Sequence, residues 1–264
     1  MAPSDATDAA DWIGPRLHPF AQDVGSVVPS GFEAYARIFH PASRLKGTER
    51  VEMRWAEMAE WSGRKVHPEM QFHTISVPVP GREHRIEAWS QEPRLGTLSE
   101  GQATALVQLL ARHTSSSARC WFCVWEGYGG LFNRSGFQEM TFYAGPGRRI
   151  RAWWGRVRPR VPRPRPKVAA KLVRLPARDY VLFGGPLAIA IGQREGPNLW
   201  WPDDRSWCVA SEIDFPYTYV GGSKKLIDEI LADPNLEALP AALDDGITAF
   251  SDTVNQSGFV GFEE

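Results

Sequence analysis

The chain has 264 residues, 43% of them hydrophobic and 23% charged, with a formal net charge of −1 and three cysteines. That length allows one large domain or two small ones, with a core that needs no covalent staples. An odd cysteine count argues against a secreted disulfide framework. The acidic start lacks the apolar stretch of a signal peptide, and no run approaches the roughly 18 apolar residues of a membrane span, so a cytoplasmic protein that does not enter the membrane is expected.

The near-neutral total hides an asymmetry. Residues 148–178 contain twelve Lys or Arg and no acid, which leaves eighteen basic against thirty-one acidic residues elsewhere. The chain is an acidic body with one basic segment, which either docks on that body or meets an anionic partner. Eleven tryptophans add large apolar area, each with an N–H that needs a partner when buried.

Residues 1–30 read as a partly ordered arm anchored by Trp12, Ile13 and Phe20. Residues 31–40 alternate Phe32, Ala34, Ala36 and Ile38 against Tyr35 and Phe39, a strand buried on both faces and ended by Pro41. Residues 51–61 place Val51, Trp55 and Met58 on one helical face, with Gly63 as the stop. Residues 71–79 read as a strand after the His67-Pro68 turn. Thr97-x-x-Glu100 forms a capping-box pattern ahead of a helix over about 98–113, with Leu106, Leu109 and Leu110 at helical spacing. Residues 120–126 and 137–143 are strand-like. In residues 156–167 the proline and arginine density argues against helix and central strand and for polyproline II or irregular backbone.

Residues 179–183 read as a strand, and the apolar run at 187–191 as a short helix. Residues 205–215 read as a strand with Trp207, Val209, Ser211 and Ile213 on one face and Cys208, Ala210, Glu212 and Asp214 on the other. Residues 218–220 pair back as a hairpin. Ser223 caps a helix whose buried stripe is Leu226, Ile227, Ile230 and Leu231. A last helix is expected over 239–254. Together these elements predict an α+β protein with a mixed or mainly antiparallel sheet and packed helices. It divides into the arm (1–30), a first lobe (31–147), a basic linker or loop (148–178) and a second lobe (179–264).

Several groupings carry possible chemistry. Cys120 and Cys123 form a CxxC, but residues three apart on a strand face opposite ways and no second pair completes a zinc site, so both read as core thiols. Gly127 to Gly130 lacks the third glycine and the following helix of a dinucleotide loop. No metal site and no cofactor are expected. Gly221, Gly222, Ser223 and Lys224 open a helix and are a candidate anion site, set against a plainly capped helix start. Glu212 and Asp214 on one strand face, with Asp203, Asp204 and Arg205 nearby, offer acid–base or cation-binding capacity. Trp200, Trp201 and Trp207 either wall a pocket beside those acids or close the core; such a pocket would suit a small polar or cationic ligand.

The blocks SVVPSGFEAYARIFHPA, RWAEMAEWSGR, HPEMQF, CWFCVWEGYG and PNLWWPDDRSWCVASEIDFPYTYVGGS resemble the signature blocks of a widespread set of actinobacterial proteins. The resemblance spans about residues 25–257. It implies no catalytic residue, because no activity comes with that set.

Three functions are therefore set side by side. The first is a non-catalytic binding or regulatory protein using the Trp and acid residues, its partner a small ligand or, for the basic segment, an acidic protein. The second is a hydrolase or transferase working through Glu212 or Asp214, which requires other polar groups to converge on them in a concavity. The third is a nucleic-acid-associated protein using the arginines from Arg148 to Arg165, a reading opposed by the acidic body. The sequence leaves the oligomeric state open.

Overall fold

An eight-stranded sheet organises the computed structural model, which describes residues 3–82, 89–128, 171–176, 178–193 and 196–255. In chain order the strands and helices are β1 (Ala34–Phe39), β2 (Ala42–Lys46), β3 (Glu49–Met53), α1 (Trp55–Ser62), α2 (Phe72–Ile75) and α3 (Glu100–Ala111). Then come β4 (Cys120–Trp125), β5 (Leu172–Arg174), β6 (Asp179–Gly185), β7 (Leu199–Pro202), β8 (Cys208–Ala210), β9 (Tyr217–Gly222), α4 (Lys224–Ala232) and β10 (Ala238–Ala241). The sheet order is β10-β1-β9-β8-β7-β4-β6-β5, with β2 and β3 as a separate hairpin. Each pairing between these strands is antiparallel. The fold is α+β, as expected.

Strand alternation sends side chains into two cores, one on each face. Ala36, Ile38, Phe122, Val181, Trp200, Val209 and Val220 pack under α3 and α4, against Leu106, Leu110, Leu226 and Ile230. Tyr35, Phe39, Cys123, Leu182, Trp201, Ala210, Tyr217 and Tyr219 face the other way, toward Trp12, Ile13 and Val24 of the arm and Trp55, Met58 and Phe72 of α1 and α2. A sheet covered on both faces needs apolar residues at both parities, and β1 has them. The arm is tied down: Ser4 N donates to Leu182 O and Val24 N to Asp245 O.

The sheet does not divide at the basic segment. β1 lies between β9 and β10, and β4 between β6 and β7, so strands from before and after that segment interleave. Proximity in sequence does not reveal this, because each insertion is a long-range pairing.

Other differences are local. The helix expected from residue 51 begins at Trp55, and residues 49–53 pair with β2 instead. Residues 72–75 are a helical turn, not a strand. α3 starts at the Ser99 cap, with Gln102 N donating to Ser99 Oγ, rather than at the Thr97 pattern. β8 stops at Ala210, because its partner β7 begins only at Leu199, after Gly196 and Pro197, and Pro197 has no N–H for the ladder. Residues 239–254 form β10 and turns, not a helix. The strand expected over 137–143 lies outside the described residues.

Candidate functional site

The three tryptophans singled out in the sequence are core residues, exposed by 2% or less. Trp200 and Trp207 meet edge to face on the helix-covered side, 5.7 Å between ring centroids, and Trp207 Nε1 donates to Leu110 O. Trp201 points to the opposite face and meets Trp12 at 6.0 Å. They do not wall a common pocket.

The acids separate as well. Asp203, Asp204 and Arg205 form the turn of the β7–β8 hairpin, where Arg205 N donates to Pro202 O. Asp203 accepts from Trp121 Nε1 and pairs with Arg119 at 2.8 Å. Asp204 accepts from Thr114 Oγ1, Ser115 N and Ser115 Oγ, each at 2.8 Å. Burial works against the charged form of Asp204, but these donors and Ser206 outweigh it and hold its carboxyl below the usual range. This turn fastens the hairpin to the loop after α3. Glu212 and Asp214 lie at the hairpin's other end, past Ala210.

The candidate anion site is filled by the protein. Lys224 N donates to Glu33 Oε2 at 2.8 Å, Ser223 Oγ accepts from Leu226 N, and Lys224 Nζ binds Asp228 one turn on. Gly221 and Gly222 are buried in β9, opposite Tyr35 and Ala34 of β1. A carboxylate on the free N–H groups of a helix start satisfies them as a phosphate would.

What gathers around Glu212 is different. Arg178, the last cation of the basic segment, reaches Glu212 Oε1 with Nη2 and Asp214 Oδ2 at 3.2 Å. Its guanidinium lies 5.4 Å from the Trp125 ring centroid and 5.9 Å from that of Phe20. Glu212 is 11% exposed, Arg178 18% and Asp214 59%. Burial pushes the Glu212 carboxyl up, and the adjacent guanidinium limits the rise. Burial alone would lower Arg178, but the hydrogen bond and charge of Glu212, with Asp214, raise it. Two acids repel across one turn, and the arginine relieves that repulsion. Arg178 Nε is buried without a hydrogen-bond partner among the described residues.

The local sequence explains the placement. Phe215 N donates to Glu212 O, so residues 212–215 form a turn that leaves Asp214 outward while Glu212 keeps the inward parity of Cys208 and Ala210. Glu212 lines a cleft with His18, Tyr180 and Asn198, roofed by Leu17 and Phe20 of the arm. His18 Nδ1 is 2.9 Å from Asp23 Oδ2. Asn198 Oδ1 accepts from Trp125 N, and Asn198 Nδ2 donates to Ser211 O and to Tyr128 Oη. The free space is about 30 Å3, room for a water or two.

The chain matches no family model, no curated protein and no solved structure. Its site is therefore read from its own geometry. Among the described residues no group of His, Cys, Asp and Glu side chains could hold a metal ion, and no helix is long and apolar enough to cross a membrane. The arginines from Arg148 to Arg165 lie outside the described residues. Arg178, Asn198 and the His18–Asp23 pair escape a motif search because they come from three separate segments. The one legible hint was the charge asymmetry, which set a basic segment against an acidic body.

Proposed function

We propose that this is a non-catalytic binding protein whose Glu212 cleft recognises a small guanidinium or ammonium group. One observation carries the reading: Arg178 is held by two carboxylates against two aromatic rings. Carboxylates with aromatic faces are what a cation site is made of. In this state an internal arginine holds the place of the ligand, so a cationic ligand competes with Arg178. The aromatic component is Phe20 and Trp125 rather than Trp200, Trp201 or Trp207.

The test is chemical rescue. Arg178→Ala should lower the thermal midpoint, and methylguanidinium should raise it again, more than methylammonium does, because anything that binds the native state alone stabilises it. Wild type should respond less, since its site is filled, and Arg178→Ala/Glu212→Gln should not respond selectively. Equal responses from wild type and Arg178→Ala would sink the reading.

A second reading, an acid–base enzyme, is favoured by the convergence of His18, Tyr180 and Asn198 on buried Glu212. It ranks lower because, among the described residues, Arg178 and the arm leave only that water-sized gap beside Glu212.

A further inference from the structure

On the other face of the sheet, directly behind Glu212, a buried chain of hydrogen bonds has a fixed direction. His40 Nδ1 lies 2.7 Å from Arg94 O, His40 Nε2 lies 2.8 Å from Thr218 Oγ1, and Thr218 Oγ1 lies 2.7 Å from Ser211 Oγ. All three side chains are buried: His40 at 1%, Thr218 at 0% and Ser211 at 4%. A carbonyl only accepts, so Nδ1 carries the proton. Burial lowers His40 to about 4, so the ring is neutral near pH 7 and Nε2 is an acceptor. Thr218 must then donate to Nε2, and Ser211 must donate to Thr218. The one proton of Ser211 Oγ is committed, and what it has left is lone pairs.

Ser211 also lines a cavity of about 180 Å3 with Arg94, Thr97, Glu100, Gln193 and Trp200. The cavity is six times the size of the Glu212 cleft. It remains below the roughly 300 Å3 at which pockets for drug-sized ligands begin. Arg94 and Glu100 bring one charge of each sign, which favours no net charge in an occupant. Trp200 supplies an apolar wall, and Ser211 supplies an acceptor that cannot turn into a donor without breaking the chain behind it.

We propose that this cavity is a binding site for a small neutral molecule bearing an N–H donor, a primary carboxamide being the simplest, with Ser211 Oγ as the acceptor that selects it. The selection follows from hydrogen-bond polarity. An amide N–H completes the chain, whereas an acceptor-only isostere sets lone pair against lone pair in a buried site. Catalysis by Ser211 is not part of the inference: His40 is too weak a base at the end of the relay to draw off the serine proton. Ser211 also borders the Glu212 cleft, but Glu212 does not line this cavity, so a Glu212→Gln variant should keep the site.

The probes are propionamide and its isostere methyl acetate, titrated into the full chain and followed by NMR at the Trp200 indole and the Thr97, Gln193 and Gly196 amides. Propionamide should shift these resonances saturably and bind about tenfold or more tighter than methyl acetate. Ser211→Ala should erase the preference. Thr218→Val should also erase it, by freeing the Ser211 proton to turn toward the ester, so that methyl acetate gains rather than propionamide merely losing. Should either variant fail to fold, the wild-type comparison decides alone. Equal affinity for the two probes, saturable shifts located elsewhere, or no saturation by propionamide would each overturn the assignment.

Discussion

Ser211 and Glu212 are neighbours in the chain and serve opposite faces of one sheet. Ser211 hydrogen-bonds Thr218 on the face under α3 and α4, and Glu212 binds Arg178 on the face under the N-terminal arm. The strand ends at Ala210, just before them; Ser211 N still donates to Asn198 O, and Glu212 opens the turn that Phe215 N closes. One short stretch thus borders both cavities: Ser211 lines each of them and residues 196–200 are divided between them, while the remaining walls come from different segments.

The Arg178–Glu212 contact predicts an asymmetric mutational response. Removing Arg178 leaves the largely buried Glu212 charge uncompensated, which should cost about 3 kcal/mol, whereas removing Glu212 leaves Arg178 with Asp214 alone and should cost less. Replacing both with apolar residues of similar volume costs far less than the sum. Urea unfolding of Arg178→Met, Glu212→Leu and the double variant should therefore show strong positive coupling. Additive losses would mean that the contact contributes little in solution.

The expected α+β class, the two-faced β1, the divergent CxxC, the β8–β9 hairpin and the Ser223-capped helix were legible because each is a local pattern of periodicity or capping. Cys120 faces the α3–α4 core and Cys123 the arm core, as strand parity requires. The site was legible only in part. Glu212 and Asp214 stood out as a pair, but Arg178 is more than thirty positions away, and His40 and Thr218 meet through the β1–β9 pairing. The tryptophans misled for a physical reason: a Trp-rich stretch looks the same in sequence whether its rings line a pocket or close two cores. Interleaving of β1 and β4 among later strands is a tertiary choice with no local mark.

Gly96 should resist substitution. Its φ is +69°, a conformation that side chains disfavour. A Cβ there would stand 3.0 Å from Ile213 Cα and 3.1 Å from Ile213 O, inside the turn that carries Glu212. Neither obstacle is the far end of a flexible side chain. Gly96→Ala should destabilise by at least about 1 kcal/mol and weaken methylguanidinium rescue of Arg178→Ala. An alanine variant with unchanged urea midpoint and rescue would show that this turn adapts freely.

Acid should unfold the protein through Asp252. This carboxylate is fully buried and accepts from Gln71 N, Thr74 Oγ1, Asn255 N and Asn255 Nδ2, with His67 Nε2 at 2.8 Å. Burial alone would raise it, yet these donors hold it below the usual range. A carboxyl whose folded pKa is depressed contributes stability that is complete above its unfolded pKa and is lost as pH falls through the folded one. Stability measured between about pH 7 and pH 2 should decline steeply below about pH 4. Asp252→Asn should be less stable near neutrality, because an amide N–H then opposes donors, and its acid limb should be flatter. A variant with an undiminished acid limb would assign that limb to other carboxylates.

The three thiols give the last prediction. Cys120, Cys123 and Cys208 are buried, on two faces of the sheet, with none bonded to another. Burial raises Cys120 to about 12, helped by the nearby charges of Asp204 and Asp203, and burial raises Cys123 and Cys208 too. The attacking species in thiol chemistry is the thiolate, so both access and ionisation oppose reaction. Mass spectrometry of the native protein with excess iodoacetamide near pH 8 should find unmodified and triply modified chains, with few intermediates, at a rate set by unfolding. Fast single labelling at Cys120 in the native state would instead show that the end of β4 opens locally, and would make that thiol a reactive centre rather than a core residue.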